Sequence, residues 1–213
     1  CITLGNCLYG TSQTISQYQS KFDIIPTMKK KIIDNTLNDS LLISIQERIG
    51  AKEVPWYFIE NSARSYDAEL VKRTPLNYSF FHPVLEVNSP EALSLLYDMT
   101  YSMSLILKDL FELKTYKVFR LRWGMTTTMN KIHRHTPHTD VQLHSGDDPI
   151  PYKVILFYLN DSDGDTYFYD KEHKIIDSVT PKGNRAVLFD GSILHSSSKP
   201  VKFPRRIVLN INL

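Results

Sequence analysis

The sequence is short of cysteine, of long apolar runs and of charge of one sign, and each shortage removes a class of protein. Cys1 and Cys7 are the two cysteines, both among the first seven residues. They can build no disulfide framework, and a reducing interior is the easier home, so the cytoplasm is the expected compartment. The longest apolar runs, such as VILFYL at 154–159, fall far below the roughly 18 residues that span a bilayer. No membrane partner is therefore expected. A net charge of +2 gives no concentrated basic stripe, so nucleic acid is not an expected partner either. What is present is ordinary for a globular protein: 42% hydrophobic and 23% charged residues, which excludes collagen-like, disordered and disulfide-scaffold classes. At 213 residues one domain can bury roughly 70% of the surface its unfolded chain exposes, without a disulfide or structural metal. The chain opens at Cys1 rather than Met, which leaves room for a lost targeting segment.

The character of the chain changes near residue 114. Residues 1–22 read as a polar arm rich in Ser and Gln, and 23–213 as a single domain. KKIIDN at 30–35, PWYFIE at 55–60 and YSFFHPVLEV at 78–87 read as strands. Leu41, Leu42, Ile45 and Ile49 repeat at helical spacing after Asn38 or Asp39 as cap. Ser89-Pro90-Glu91 opens a second helix, expected to run to about Leu110 with Leu93, Leu96, Met99, Met103, Leu107 and Leu110 on its buried side. Beyond it come short strands without intervening helices: 115–123, 138–143, 152–160, 165–170, 173–178, 185–190, 193–198 and 205–213. The spacing predicts an antiparallel sandwich or barrel. Turn chemistry sits between them in DSDGD (161–165), PKGN (181–184) and DG (190–191). The fold class is thus α+β, with helices packed on one sheet of a β-sandwich.

Within the β half, His138 and Asp140 form an H-x-D element whose side chains point the same way if the segment is extended. Alone it is weak, since about 0.5 such pairs are expected by chance in this composition. His195 follows 55 residues after Asp140, and two adjacent arginines, Arg205 and Arg206, open the last strand. Two histidines and a carboxylate on one face of a metal leave three positions open, the arrangement of non-heme Fe(II) oxygenases. A chelating cosubstrate fills two of them and dioxygen the third, while an arginine fork suits a distal carboxylate.

This order of motifs resembles the Fe(II)- and 2-oxoglutarate-dependent dioxygenases, most closely the prolyl-4-hydroxylase-like branch and its phage and bacterial members. The resemblance lies in YKVILFYLNDSDGDTYFYD, PKGNRAVLFDGSILHSSSKP and RRIVLNINL, with PWYF at 55–58 similar to the start of that group's domain. It covers roughly residues 30–213, its specific motifs falling within 138–213. It implies a double-stranded β-helix (jelly-roll or cupin-like) core and His138, Asp140 and His195 as iron ligands. It also implies an arginine, helped by Tyr158, on the distal carboxylate of 2-oxoglutarate. Fe(II), 2-oxoglutarate and dioxygen, with ascorbate as reductant, are the implied cofactors, and a peptide or protein, most specifically a peptidyl proline, the implied substrate and partner. The resemblance makes the expected compartment that of a bacterial or phage-infected cell. One departure bears on substrate: Arg122-Trp123-Gly124 stands where collagen-type enzymes tend to carry a tyrosine. Two other readings stay open at this point. One is the same chemistry on a nucleobase or small metabolite, and the other is a non-catalytic β-sandwich binding module.

The remaining polar residues are read more plainly. His133 and His135 flank the motif as solvated loop residues, although support of a ligand or contact with substrate is the alternative. His144 and His173 are expected at the surface. Arg120 and Arg122 share a strand face with Tyr116 and are expected to be solvated or ion-paired. DSDGD lacks the glutamate of a calcium loop and reads as a turn. KKK at 29–31 is expected to be exposed. The stretch 124–137 is expected to close over substrate as a lid. Strand alternation separates the two arginines. Arg205 shares a face with Ile207, Leu209 and Ile211, while Arg206 shares the other with Val208, Asn210 and Asn212. The apolar set should pack against the helices, which assigns Arg206 to the cosubstrate.

Overall fold

The computed structural model describes residues 29–62, 77–87, 94–145 and 148–213. The predicted polar arm, both cysteines and the Ser89-Pro90-Glu91 helix start with Leu93 lie outside the described residues. Seven strands form the larger sheet, in the order β1 (Lys31–Asp34), β11 (Arg185–Asp190), β8 (Lys153–Tyr158), β13 (Arg205–Asn212), β4 (Arg120–Thr127), β3 (Ser79–Leu85) and β2 (Tyr57–Ile59). The smaller sheet runs β10 (Ile175–Val179), β9 (Thr166–Tyr169), β12 (Leu194–Lys199) and β5 (His133–Arg134). A hairpin of β6 (His144–Ser145) and β7 (Asp148–Pro149) stands apart. Every pairing is antiparallel. The two sheets face each other as a double-stranded β-helix, and two helices, α1 (Asp39–Gly50) and α2 (Tyr97–Leu110), cover the larger one.

Alternation along the strands sorts the side chains into two cores. On the helix side, Ile207, Leu209 and Ile211 of β13 join Leu121 and Trp123 of β4, Ile45 and Ile49 of α1 and Met103 and Leu107 of α2. The Trp123 indole donates to Thr100 Oγ1 on α2 at 3.1 Å, which satisfies its only polar atom inside that core. On the inner side, Val154, Leu156, Tyr158, Val187, Phe189 and Val208 of the larger sheet meet Phe168 and Val179 of the smaller one. Asn38 caps α1 by accepting from the Leu41 amide at 2.9 Å, and Gln46 ties the helix to the end of β8 by donating to Leu159 O at 2.9 Å. Leu107 is fully buried between α2 and the sheet. Leu107→Ala should cost about 2–5 kcal/mol, read as a lower urea midpoint at unchanged slope; an unchanged midpoint would place the helix elsewhere.

Several expectations need correction. The segment 138–143 is no strand: after one bridge between His138 and His195 it is irregular until β6. β4 begins at Arg120 rather than at 115 because turns occupy the stretch before it, with Glu112 held at φ 62°. Tyr116 therefore shares no strand face with Arg120 and Arg122, and packs against the helix-side core. Residues 94–96 form a bend and turn, so α2 starts at Tyr97, and Leu110 at its end is 40% exposed rather than buried. In the lysine run, Lys29 and Lys31 are exposed but Lys30 is half-buried and ion-paired with Asp177. The predicted lid is largely tied down, with Gly124–Thr127 in β4 and His135 and Thr136 buried.

Candidate metal centre

His138 and His195 meet because their backbones pair. Each amide donates to the other's carbonyl at 3.0 Å, which sets the imidazoles side by side with ring centres 5.0 Å apart. The loop before His138 is stapled by Asn77, which accepts from the Thr136 amide at 3.0 Å and donates to Thr136 Oγ1 at 2.6 Å. Asp140 then bends inward, fixed behind by the Val141 amide donating to the Tyr152 hydroxyl at 3.2 Å. One ligand atom from each of His138, Asp140 and His195 lies within 4.8 Å of the others, and His195 Nε2 is 3.7 Å from Asp140 Oδ1. An extended H-x-D strand is not what brings them together; the bridge to His195 and the bend at Asp140 do.

Both tautomers are set by backbone carbonyls, which can only accept. His138 Nδ1 donates to Thr136 O at 2.9 Å and His195 Nδ1 to Ile193 O at 3.0 Å. That leaves each Nε2 to face Asp140, the orientation a metal-binding imidazole needs. Burial pushes His138 down to about 4, with His195 adding to the shift, so its imidazole is neutral near pH 7. For Asp140 burial opposes ionisation, but His195, Arg120 and His138 outweigh it and hold the carboxyl well below the usual range. His195 is raised despite burial, because Asp140 stabilises its charged form. A divalent cation replacing that shared proton suits two imidazoles and a carboxylate.

Beside this triad lies a second polar cluster. Arg206 is buried while Arg205 is exposed, and the register sets Arg206 opposite Thr126 on the inner face. Arg206 Nη2 donates to Thr166 Oγ1 at 2.9 Å, the same oxygen that meets the Tyr158 hydroxyl at 2.8 Å, and the guanidinium carbon is 5.4 Å from the Tyr158 ring centre. Arg206 Nε and Thr126 Oγ1 are buried with no hydrogen-bond partner among the described residues. A buried guanidinium short of a partner fits a carboxylate ligand. Gly164 lets the 161–165 turn pack tightly against this cluster: a Cβ there would stand 2.6 Å from Ser198 O and 3.3 Å from Arg206 Cδ. The turn itself holds no cation-binding set; Asp163 accepts from the Val201 and Lys202 amides and Asp161 from that of Gly183.

The other histidines divide. His144 and His173 are exposed, His173 in a turn at φ 61°. His135 is 3% exposed rather than solvated, because Nδ1 sits 3.2 Å from both Ser62 Oγ and Ser197 Oγ and draws the ring between the sheets. Burial, with Lys199 nearby, keeps it neutral. Half-buried His133 lies across from Lys199, which burial pushes down to about 8. Arg120 and Arg122 are ion-paired with Glu86, at 3.4 and 2.5 Å. Arg120 also reaches within 3.8 Å of Asp140 Oδ1. That contact, with those of Asn210 and Asn212, was not read from the sequence, although both asparagines stand on the Arg206 face of the last strand.

Comparison with known proteins agrees with this geometry. Residues 125–213 match the 2OG-Fe(II) oxygenase superfamily. No curated protein matches this sequence. Among solved structures, the chain is similar to a 2OG-Fe(II) oxygenase-family oxidoreductase from Burkholderia pseudomallei, with a TM-score of 0.62 at 11% identity over 86% of this chain and 84% of that one. A prolyl hydroxylase from Trichoplax adhaerens, in complex with a hypoxia inducible factor peptide fragment, superposes with a TM-score of 0.57 at 15% identity over 87% and 83%. HygX from Streptomyces hygroscopicus, with nickel, 2-oxoglutarate and hygromycin B bound, gives 0.54 at 12% over 87% and 82%. Among the described residues no helix is long and apolar enough to cross a membrane. The triad thus stands within a matched segment and on a shared fold: residues 125–213 match the 2OG-Fe(II) oxygenase superfamily, and the chain is similar in its double-stranded β-helix to solved structures of 2OG-Fe(II) oxygenases.

Proposed function

We propose that the chain hydroxylates a peptidyl proline, with Fe(II) held by His138, Asp140 and His195 and the distal carboxylate of 2-oxoglutarate held by Arg206 and Tyr158. The observation that carries the chemistry is the convergence of the three ligand atoms within 4.8 Å, beside a buried arginine whose Nε has no partner among the described residues. When bound, the iron and cosubstrate supply oxidative decarboxylation to succinate and carbon dioxide, coupled to placing one oxygen of dioxygen into a C–H bond. The protein's part is to hold, orient and exclude water. His138 and His195 each present Nε2 with the tautomer already fixed. Arg206 fixes the far end of the cosubstrate with a charge-assisted fork. Phe168, Phe189 and Val208 pack as part of the inner apolar core, and Phe189 meets the His195 ring at 4.9 Å, apolar surface that would keep water away from a bound metal.

The peptide reading rests on the inner face beyond the triad. Paired residues run in one row from the inner core to the sheet edge: Val208, Gly124, Phe81 and Tyr57. Gly124 leaves a gap in that row, since even a Cβ there would meet, among the described residues, only Val208 Cγ1 at 3.7 Å. Past the gap, the Phe81 and Tyr57 rings stand 5.8 Å apart, with the Arg122 guanidinium 4.8 Å from the Phe81 ring centre. Here Arg122 and Gly124 stand where a tyrosine is usual in collagen-type enzymes, and they make an open, aromatic-floored approach on which a proline ring can stack. The peptide carried by the Trichoplax enzyme supports this reading; the hygromycin B in HygX marks the competing small-molecule class.

The test is succinate release by the Fe(II)-loaded protein with 2-oxoglutarate, screened against a proline-containing peptide library with mass analysis of the peptides. A gain of one oxygen on a prolyl residue is expected. Turnover restricted to non-peptide metabolites would overturn the substrate while leaving the chemistry in place.

A further inference from the structure

We infer that Asn210 and Asn212 are positioning residues that make Asp140 a one-oxygen ligand. The inference rests on the metal-site reading above and concerns how this chain prepares its carboxylate. The last strand places both asparagines on the inner face, two residues apart, under the Asp140 side chain. Asn210 Nδ2 donates to Asp140 Oδ1 at 3.0 Å and Oδ2 at 2.9 Å. Asn212 Nδ2 donates to Oδ2 at 3.1 Å.

The amide orientations follow from what each neighbour can do. Arg120 has only donors, and its Nη1 donates to Asn212 Oδ1 at 2.9 Å, so the Asn212 amine is left for the carboxylate. Turning Asn210 over would set its carbonyl oxygen against an anion, so its amine also faces Asp140. Arg120 is in turn held by Glu86 through Nε at 3.4 Å. The two carboxylate oxygens are therefore unequal. Oδ2 accepts from two amides, whereas Oδ1 shares one and is the oxygen 3.7 Å from His195 Nε2. With Oδ2 occupied by the two amides, Asp140 would offer a metal Oδ1 alone. One oxygen from Asp140 and one nitrogen from each histidine would leave room on a bound divalent ion for a two-oxygen cosubstrate and dioxygen. A carboxylate binding through both oxygens would take part of that room.

Co(II) is the probe, bound to metal-free protein and followed by calorimetry and by its visible ligand-field spectrum. In the Asn210→Ala/Asn212→Ala double variant, Co(II) affinity should fall by about 10–100-fold, as when a partner of a metal ligand is lost. The spectrum should also change, because Oδ2 becomes free to bind; a purely structural role would lower thermal stability and leave the spectrum alone. If the double variant does not fold, each single variant reads the same two quantities, with a loss of about tenfold expected. Unchanged affinity and spectrum overturn the inference. Asp140→Ala separates the two levels. If that variant binds Co(II) like the parent protein, the metal-site reading falls and this inference with it. If it loses Co(II) while the asparagine variants do not, only the role of the asparagines falls.

Discussion

Asp140→Ala should abolish both Fe(II) retention and 2-oxoglutarate decarboxylation while leaving a folded protein. The carboxylate is the only anion facing His138 and His195 among the described residues, and it is the group that holds His195 toward its charged form. Its loss would remove one of the three proposed ligands, so the fall in metal affinity should exceed the roughly 10–100-fold typical of residues that merely support a ligand. The substitution also leaves the Asn210 and Asn212 amines without their acceptor and Arg120 without a nearby anion on that side. Stability should therefore drop by about 1–3 kcal/mol, the cost of unsatisfied buried donors. The fold should survive this, because the cores on both sides of the larger sheet are untouched. Metal content after gel filtration and succinate formation are the two readouts. A variant that keeps its iron and its turnover would move the metal centre elsewhere.

The second large effect separates two neighbours in the sequence. Arg206→Ala should weaken 2-oxoglutarate binding about a hundredfold, since losing a charge-assisted buried pair costs on the order of 3 kcal/mol. Arg205→Ala should change it only a few-fold. Arg206 is buried, shares Thr166 Oγ1 with Tyr158 and has an Nε with no partner among the described residues, while Arg205 is exposed at the strand's start. Titration of each metal-loaded variant with 2-oxoglutarate under anaerobic conditions gives both constants without turnover. The reverse order would place the cosubstrate outside the two sheets.

How far the sequence reaches is clearest at these two arginines. Side chains in a strand alternate with period two, so one apolar and one mixed face of the last strand could be written down without any partner strand. The structure keeps that parity: Ile207, Leu209 and Ile211 pack beneath the helices, while Arg206, Val208, Asn210 and Asn212 face inward. The same local logic reaches the Asn38 cap, the tight turn at 161–165 and the surface positions of His144 and His173.

Local periodicity carries no information about what a neighbouring strand brings, and there the tertiary structure decides. His135 looks like a loop histidine because the hydroxyls its ring nitrogen meets, on Ser62 and Ser197, lie 73 and 62 residues away in the sequence. Arg120 looks like a surface arginine because Glu86 and Asn212, which hold it beside Asp140, come from segments on either side of it in the chain. Asp140 itself is not in a strand; one backbone bridge to His195 and two amides from the last strand place it. The sequence by itself thus determined the types of side chain that converge, the division of faces and which of two adjacent arginines turns inward, all of which follow from residue chemistry and a two-residue period. Only the closing of one sheet over the other decided which polar groups share the interior, because burial there is set by pairs of residues far apart in the chain.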